Sequence, residues 1–202
     1  MGLHEDSKSA RRRRSLLAAA GIAGVAILLQ LGGEPVRSAL AWDRSALQDG
    51  QFWRLATGHF VHLGWSHLAL NSAGLALVAW ITGGAYSLAR WFVVAVITVA
   101  TIDLGFWYLY EGLDWYVGLS GLLHGLLIAG LYAGVVEHDR EALVLGALVI
   151  GKLAWEQVAG PLPGSESGSG GSVIVDAHLY GAIGGLIAAL IPWRRVHTKA
   201  SI

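Results

Sequence analysis

The sequence predicts an all-α membrane protein, a bundle of six transmembrane helices, and three observations carry that prediction. Hydrophobic residues make up 54% of the 202-residue chain and charged residues only 14%, whereas soluble domains run at about 25% charged. Six stretches are apolar over the length, about 20 residues, that a helix needs to cross hydrocarbon. Lys and Arg fall unevenly between the connections, as they do in chains with a fixed orientation in a bilayer. Strands are a poor alternative, because open sheet edges find no hydrogen-bond partners in lipid.

The six stretches are residues 15–31, 66–82, 88–108, 119–136, 142–159 and 173–193. They make one membrane domain over 15–193, flanked by a basic N-terminal tail (1–14) and a basic C-terminal tail (194–202). With a cytoplasmic N-terminus, the inner side carries Lys8, Arg11 to Arg14, Arg90, Arg140, Arg194, Arg195 and Lys199. The outer loops then carry Arg37, Arg44 and Arg54. An even number of spans puts both basic ends in the cytoplasm, as the positive-inside rule asks. A second reading treats Arg11–Arg14, the apolar run and Ala39-Leu40-Ala41 as a signal peptide.

Composition also excludes. A formal net charge of zero gives no field to attract phosphates, so no nucleic-acid partner is expected. The absence of cysteine removes disulfides, thiolate nucleophiles and Cys-ligated zinc. No H-E-x-x-H occurs, so neither a catalytic metal nor another cofactor is expected.

Ionisable and polar groups within spans are costly and therefore functional candidates. His67, Asn71, Asp103, Ser120, His124, Lys152, Glu156, Asp176 and His178 all fall in the outer halves of their spans under this topology. A water-containing cavity, open outside and sealed below, explains that bias. Three segments converge on it: Gly118-Leu119-Ser120-Gly121, His67 to Asn71, and Ala177 to Gly185. A serine hydroxyl needs a neighbouring base to attack a carbonyl, and His178 stands at matching depth. The oxyanion needs fixed donors. His67 and Asn71, i and i+4 on one face, can supply them with the Ser120 amide, and Gly118 and Gly121 frame the site. Gly121 with Gly125, and Gly181 with Gly185, make small-residue faces that let two helices approach closely.

On these motifs the chain resembles the rhomboid family of intramembrane serine proteases over roughly residues 12–195. The family pattern appears as Trp53-Arg54, His67-x-x-x-Asn71, Gly118-x-Ser120-Gly121 and Ala177-His178-x-x-Gly181-x-x-x-Gly185. The resemblance implies a six-helix rhomboid-like fold and Ser120 as nucleophile. It makes His178 the base of a dyad lacking a third carboxylate, with the oxyanion held by His67, Asn71 and the Ser120 amide. It also implies that Trp42, Trp53 and Trp65 lie in an interfacial wall. Within the family the match is nearest to rhombosortases, on Gly121 to Gly125, on Lys152-Leu153-Ala154-Trp155-Glu156 and on the compact core. That implies a membrane-anchored protein substrate ending in a Gly-Gly motif, a transmembrane tail and a basic end. It also implies residence in the bacterial inner membrane with the site facing the periplasm. A general rhomboid protease and a non-catalytic client-binding relative are the alternatives.

Several neighbours have simpler expected roles. His124, i+4 from Ser120, packs on or bonds to His178, or is an alternative base. Lys152 and Glu156, again i and i+4, neutralise each other, with Asp103 as an available second partner for Lys152. His59 and His62 are structural. The Gly/Ser-rich segment 160–172 is a mobile coil that can serve as a lid. Trp80, Trp91 and Trp193 mark the inner interface, and Trp107, Trp115 and Trp155 the outer one.

Overall fold

A computed structural model describes residues 2–192. The elements run α1 (Gly2–Leu31), α2 (Gly33–Leu40), β1 (Trp42–Asp43), α3 (Arg44–Gln48), α4 (Arg54–Thr57), α5 (Trp65–Thr82), α6 (Leu88–Tyr108), β2 (Trp115–Tyr116), α7 (Ser120–Val136), α8 (Arg140–Ala159), α9 (Ser165–Ser169) and α10 (Val175–Leu190). Among the described residues, six helices have 16 residues or more. The segments Ser7–Leu31, Leu88–Tyr108 and Arg140–Ala159 are long and apolar enough to cross a membrane by length and composition. Helix α5 has 18 residues but carries Ser66, His67, Asn71 and Ser72. Helices α7 and α10 are apolar but shorter, at 17 and 16 residues. Sixteen residues rise only about 24 Å, less than the ~30 Å of a bilayer core.

The starts of these helices follow local chemistry. Ser87 caps α6 by accepting the Arg90 amide, and Asp139 caps α8 by accepting the amides of Glu141 and Ala142. Such caps satisfy N–H groups that have no intrahelical partner. Asp43 does the same for α3 through the Ala46 amide. That bond and the Ser45 hydroxyl outweigh burial and hold the Asp43 carboxyl below its usual range.

Helix α10 packs most extensively on α7 and then on α6. Its contact with α7 is backbone on backbone. A Cβ on Gly181 would collide with the carbonyl of Gly121, and one on Gly185 with the carbonyl of Gly125. Reciprocally, a Cβ on Gly121 would lie 2.8 Å from the Ala177 carbonyl oxygen, and one on Gly125 2.7 Å from that of Gly181. The small-residue faces of the two helices meet here. On the other side of α7, Leu119, Leu122 and Leu123 pack with Ala19 of α1 and with Leu75 and Ala79 of α5.

Four features depart from the sequence reading. The basic segment is no separate tail, because helix α1 begins at Gly2 and continues through it. Arg and Lys are good helix formers, and here they also anchor. Lys8 pairs with Glu137, Arg11 Nε donates to the Gly84 carbonyl at 2.8 Å, and Arg12 stacks on Trp80. A two-residue antiparallel ribbon joins Trp42 to Tyr116 and Asp43 to Trp115, which the all-helical reading lacks. Trp42 is not interfacial. It is fully buried against Phe106, Tyr116 and Tyr180, whereas Trp53 and Trp65 stay exposed. Segment 160–172 is not plain coil, for it contains the turn of helix α9 between left-handed Gly164 and Gly170. The C-terminal tail (194–202) and Trp193 lie outside the described residues.

The loop 41–64 is bolted down by two arginines. Arg54, only 8% exposed, donates to the carbonyls of Ser38 and Ala41 at 2.8 and 2.7 Å and to Gln51 at 2.9 Å. Arg44 donates to the carbonyls of Phe106, Tyr110 and Leu113 at 2.6, 2.9 and 3.0 Å. It thereby satisfies the carbonyl of Phe106 in the last turn of α6, which lacks a helical donor, and ties down the chain that follows.

The glycine seam sets a quantitative expectation. Gly181→Ala should cost about 1–3 kcal/mol through overpacking against the α7 backbone. Gly21→Ala, at a position with open space around it, should instead gain up to ~1 kcal/mol from helix propensity. Thermal unfolding of both variants in detergent micelles measures this. Equal effects would show that the seam imposes no constraint.

Candidate active site

Ser120 is the first residue of α7, and its placement is built by the turn before it. Gly118 sits at φ +119°, a backbone state that side chains rarely adopt. Its amide donates to the Gly58 carbonyl at 3.0 Å, and its carbonyl accepts the Tyr116 hydroxyl at 2.7 Å. Leu119 is fully buried and fixes the entry to the helix. The Ser120 N–H therefore lies in the first turn, where amides have no intrahelical acceptor.

His178 lies in α10 and is 5% exposed. Its Nε2 stands 3.1 Å from Ser120 Oγ, so the hydroxyl can donate to the ring. Its Nδ1 stands 3.0 Å from Glu156 Oε2 on α8. The His124 ring stacks on it, with centroids 4.2 Å apart and planes 21° from parallel. His124 Nδ1 donates to the Ser120 carbonyl at 2.7 Å. Lys152 Nζ completes the group, donating to Glu156 Oε2 at 2.7 Å and to His124 Nε2 at 2.9 Å. It also lies 3.2 Å from His178 Nδ1.

The second wall comes from α5. His67 Nδ1 accepts the Leu63 amide at 3.3 Å, which leaves Nε2 as the protonated, donating nitrogen of the neutral ring. Gly118 gives this ring room, since a Cβ there would lie 2.7 Å from His67 Cε1 and 2.8 Å from Nε2. Asn71 Nδ2 donates to the His67 carbonyl at 3.0 Å, using one of its two hydrogens. His62 packs edge-on against His67 at 5.1 Å between centroids. Burial, reinforced by the His67 ring, pushes the His62 imidazole down to about 4, so it is uncharged at neutral pH.

These groups line one cavity of about 270 Å³ that holds His67, Asn71, Ser120, His124, Lys152, Glu156 and His178 together. Leu162, Ser165 and Ser169 of the 160–172 segment also line it, so that segment lies over the site. Gly121, Gly125, Gly181 and Gly185 form the seam beneath. Asp103 does not join the cavity. Its carboxylate instead lies 3.4 Å from Nε2 of His59, a fully buried ring. The expected Asp103 partnership with Lys152 is thus replaced by His124 and His178. His59 and His62, both buried, pack in the loop as structural residues. His124, Glu156 and His178 each bring a donor atom within 4.8 Å of the others, and the Lys152 ammonium is within hydrogen-bond distance of all three.

Sequence reasoning missed the contact of Lys152 with His124 and a second one. Glu156 meets His178 as well as Lys152, so the pair of ring and hydroxyl has a carboxylate behind it. The i,i+4 spacing of Lys152 and Glu156 shows a shared face. It does not show that this face turns to α7 and α10, which follows from helix packing.

A protein described as "Putative rhomboid protease YdcA" from Bacillus subtilis (strain 168) is 25% identical over 164 residues, covering 78% of each chain. The Rhomboid domain family model matches residues 49–195, a span that runs from the loop before α4 past the end of α10. The match takes in every residue of the cavity and well over half of the sequence: the chain belongs to the rhomboid family, and it is an integral membrane protein of that kind.

Proposed function

We propose that this protein is an intramembrane serine endopeptidase in which Ser120 is the nucleophile and His178 the general base. The observation that carries the reading is the 3.1 Å approach of Ser120 Oγ to His178 Nε2, at the floor of a cavity among apolar helices. Membership in the rhomboid family supports an intramembrane protease. The rest of this reading is our own.

In the proposed reaction the Ser120 hydroxyl gives its proton to His178 Nε2 as Oγ bonds to the substrate carbonyl carbon. The resulting oxyanion faces the His67 Nε2–H, the second Asn71 amide hydrogen and the Ser120 N–H. Fixed donors of this kind stabilise developing charge without reorganisation. The imidazolium then returns its proton to the leaving amine as the C–N bond breaks, leaving an acyl-enzyme. Water, deprotonated by His178, resolves it in the mirror sequence.

The proposed topology has six spans, both termini in the cytoplasm and the cavity toward the periplasmic face of a bacterial inner membrane. The Lys/Arg bias supports it. The proposed domain is the six-helix body over 15–193, with α1 extending into the N-terminal segment. The proposed substrate is an exported protein with a C-terminal Gly-Gly, transmembrane helix and basic end, of the rhombosortase type. A peptide bond must leave its helix to be attacked, and glycine lowers helix stability by about 1 kcal/mol per residue. The α9 segment serves as the lid under which such a stretch enters.

Two experiments test the reading. Co-expression with a tail-bearing protein should release a product whose mass ends near the Gly-Gly. Ser120→Ala should abolish that release, together with covalent labelling by a fluorophosphonate. Release that persists in Ser120→Ala would overturn the mechanism. Gly118→Ala should strain the turn and push His67 off its donor position. A cleavage rate lower by on the order of 10²-fold is expected, the cost of one lost oxyanion donor. An unchanged rate would remove His67 from the oxyanion site.

A further inference from the structure

The cluster behind His178 is larger than a serine–histidine pair needs. Two opposite charges, Lys152 and Glu156, lie in one helix that is long and apolar enough to cross a membrane, and Glu156 is 3% exposed. Buried charges are costly even when paired. A pair kept only for mutual neutralisation has no reason to sit against the catalytic ring.

The hydrogen bonds have one consistent assignment of protons. Lys152 can only donate, and Glu156 as a carboxylate can only accept. His124 Nδ1 faces the Ser120 carbonyl at 2.7 Å, an acceptor, so Nδ1 carries the hydrogen. His124 Nε2 is then the acceptor for Lys152 at 2.9 Å. His178 Nδ1 lies between Lys152 at 3.2 Å and Glu156 Oε2 at 3.0 Å. Were Nδ1 unprotonated, it would accept from Lys152 but would set a lone pair against the carboxylate. Its Nε2–H would then point at Ser120 Oγ and could not take the serine proton. With the hydrogen on Nδ1, it donates to Glu156, and Nε2 accepts from Ser120. Lys152 remains bonded to Glu156 at 2.7 Å and to His124.

We infer that Glu156 is a positioning residue. Its carboxylate holds the Nδ1–H form of His178, so that Nε2 is free to accept the Ser120 proton. The Ser120–His178 pair is thus backed by a carboxylate that orients the ring. Lys152 is the counter-charge of Glu156. Its second bond, to His124, locks the ring that stacks on His178. No proton passes to Glu156. It accepts a hydrogen bond from Nδ1–H throughout, and faces the imidazolium while the serine proton resides on Nε2. The inference rests on the proposed serine mechanism for its kinetic consequence but not for its structural one.

The test uses the full-length protein in micelles. Glu156→Gln should lower kcat for tail cleavage by on the order of 10³-fold with KM within about twofold, as expected when a triad acid becomes an amide and the wrong tautomer is favoured. Glu156→Asp, which keeps the acceptor, should recover part of that loss. Because Glu156→Gln leaves Lys152 without its counter-charge, Lys152→Met/Glu156→Gln is measured beside it. If Glu156 orients the ring, the double variant stays as slow as the single one. If Glu156 only neutralises Lys152, the double variant returns to within about threefold of Lys152→Met alone, measured as its reference because that change also frees His124, and the inference falls. Nitrogen-15 shifts of His178 give a readout independent of activity. The Nδ1–H tautomer should dominate in the parent and lose that dominance in the double variant. The same tautomer in both would also overturn the inference. Loss of fluorophosphonate labelling in the parent would sink the serine mechanism alone, since the tautomer measurement would still report on Glu156.

Discussion

The closeness of two glycine-faced helices governs this structure. Where α7 and α10 meet, the carbonyls of Gly121 and Gly125 occupy the space that side chains on Gly181 and Gly185 would fill. In lipid no hydrophobic force pulls one apolar helix onto another, so close packing and hydrogen bonds hold the contact. Close packing also sets a distance. Ser120 and His178 are 58 residues apart in sequence, yet their side chains are 3.1 Å apart because the backbones beneath them touch.

The short helices follow from the same geometry. Helix α7 begins at Ser120 because the preceding chain descends into the protein, through the buried Leu119 and the ribbon that pairs Trp42 with Tyr116. Non-helical backbone at membrane depth requires protein, not lipid, around it. Arg44, Arg54 and the Trp42–Phe106–Tyr116 cluster supply that surround. The first turn of α7 is thereby presented to the cavity with its amides free of helical partners. That position favours developing negative charge.

Much of this was legible in the sequence, and the limits were physical. The helix-rich membrane character is legible from composition and long apolar runs, and Ser120, His178, His67 and Asn71 stand out as candidates because polar residues are expensive in lipid. The family resemblance implies an interfacial Trp42, while its burial depends on long-range pairing with Tyr116. The basic N-terminal segment was read as a tail from its charge, whereas its helicity comes from propensity and from docking on Gly84 and Glu137. Glu156 was recognisable as a partner of Lys152 but not of His178. Rotation of α8 about its axis decides that, and hydrophobic periodicity is weak in a helix apolar on most sides.

Three histidines at the site illustrate how neutral rings acquire fixed roles. In each ring Nδ1 faces a polar partner. Leu63 N–H faces His67 Nδ1, the Ser120 carbonyl faces His124 Nδ1, and the Glu156 carboxylate faces His178 Nδ1. A donor at Nδ1 leaves Nε2 protonated, and an acceptor at Nδ1 leaves Nε2 bare. His67 is therefore prepared to give a hydrogen bond across the cavity, and His178 to receive one. The two rings differ only in what stands behind them. A backbone amide sets the first, and a charge held by Lys152 sets the second. An ionised carboxylate is the stronger acceptor, and of the three partners it alone carries a full charge.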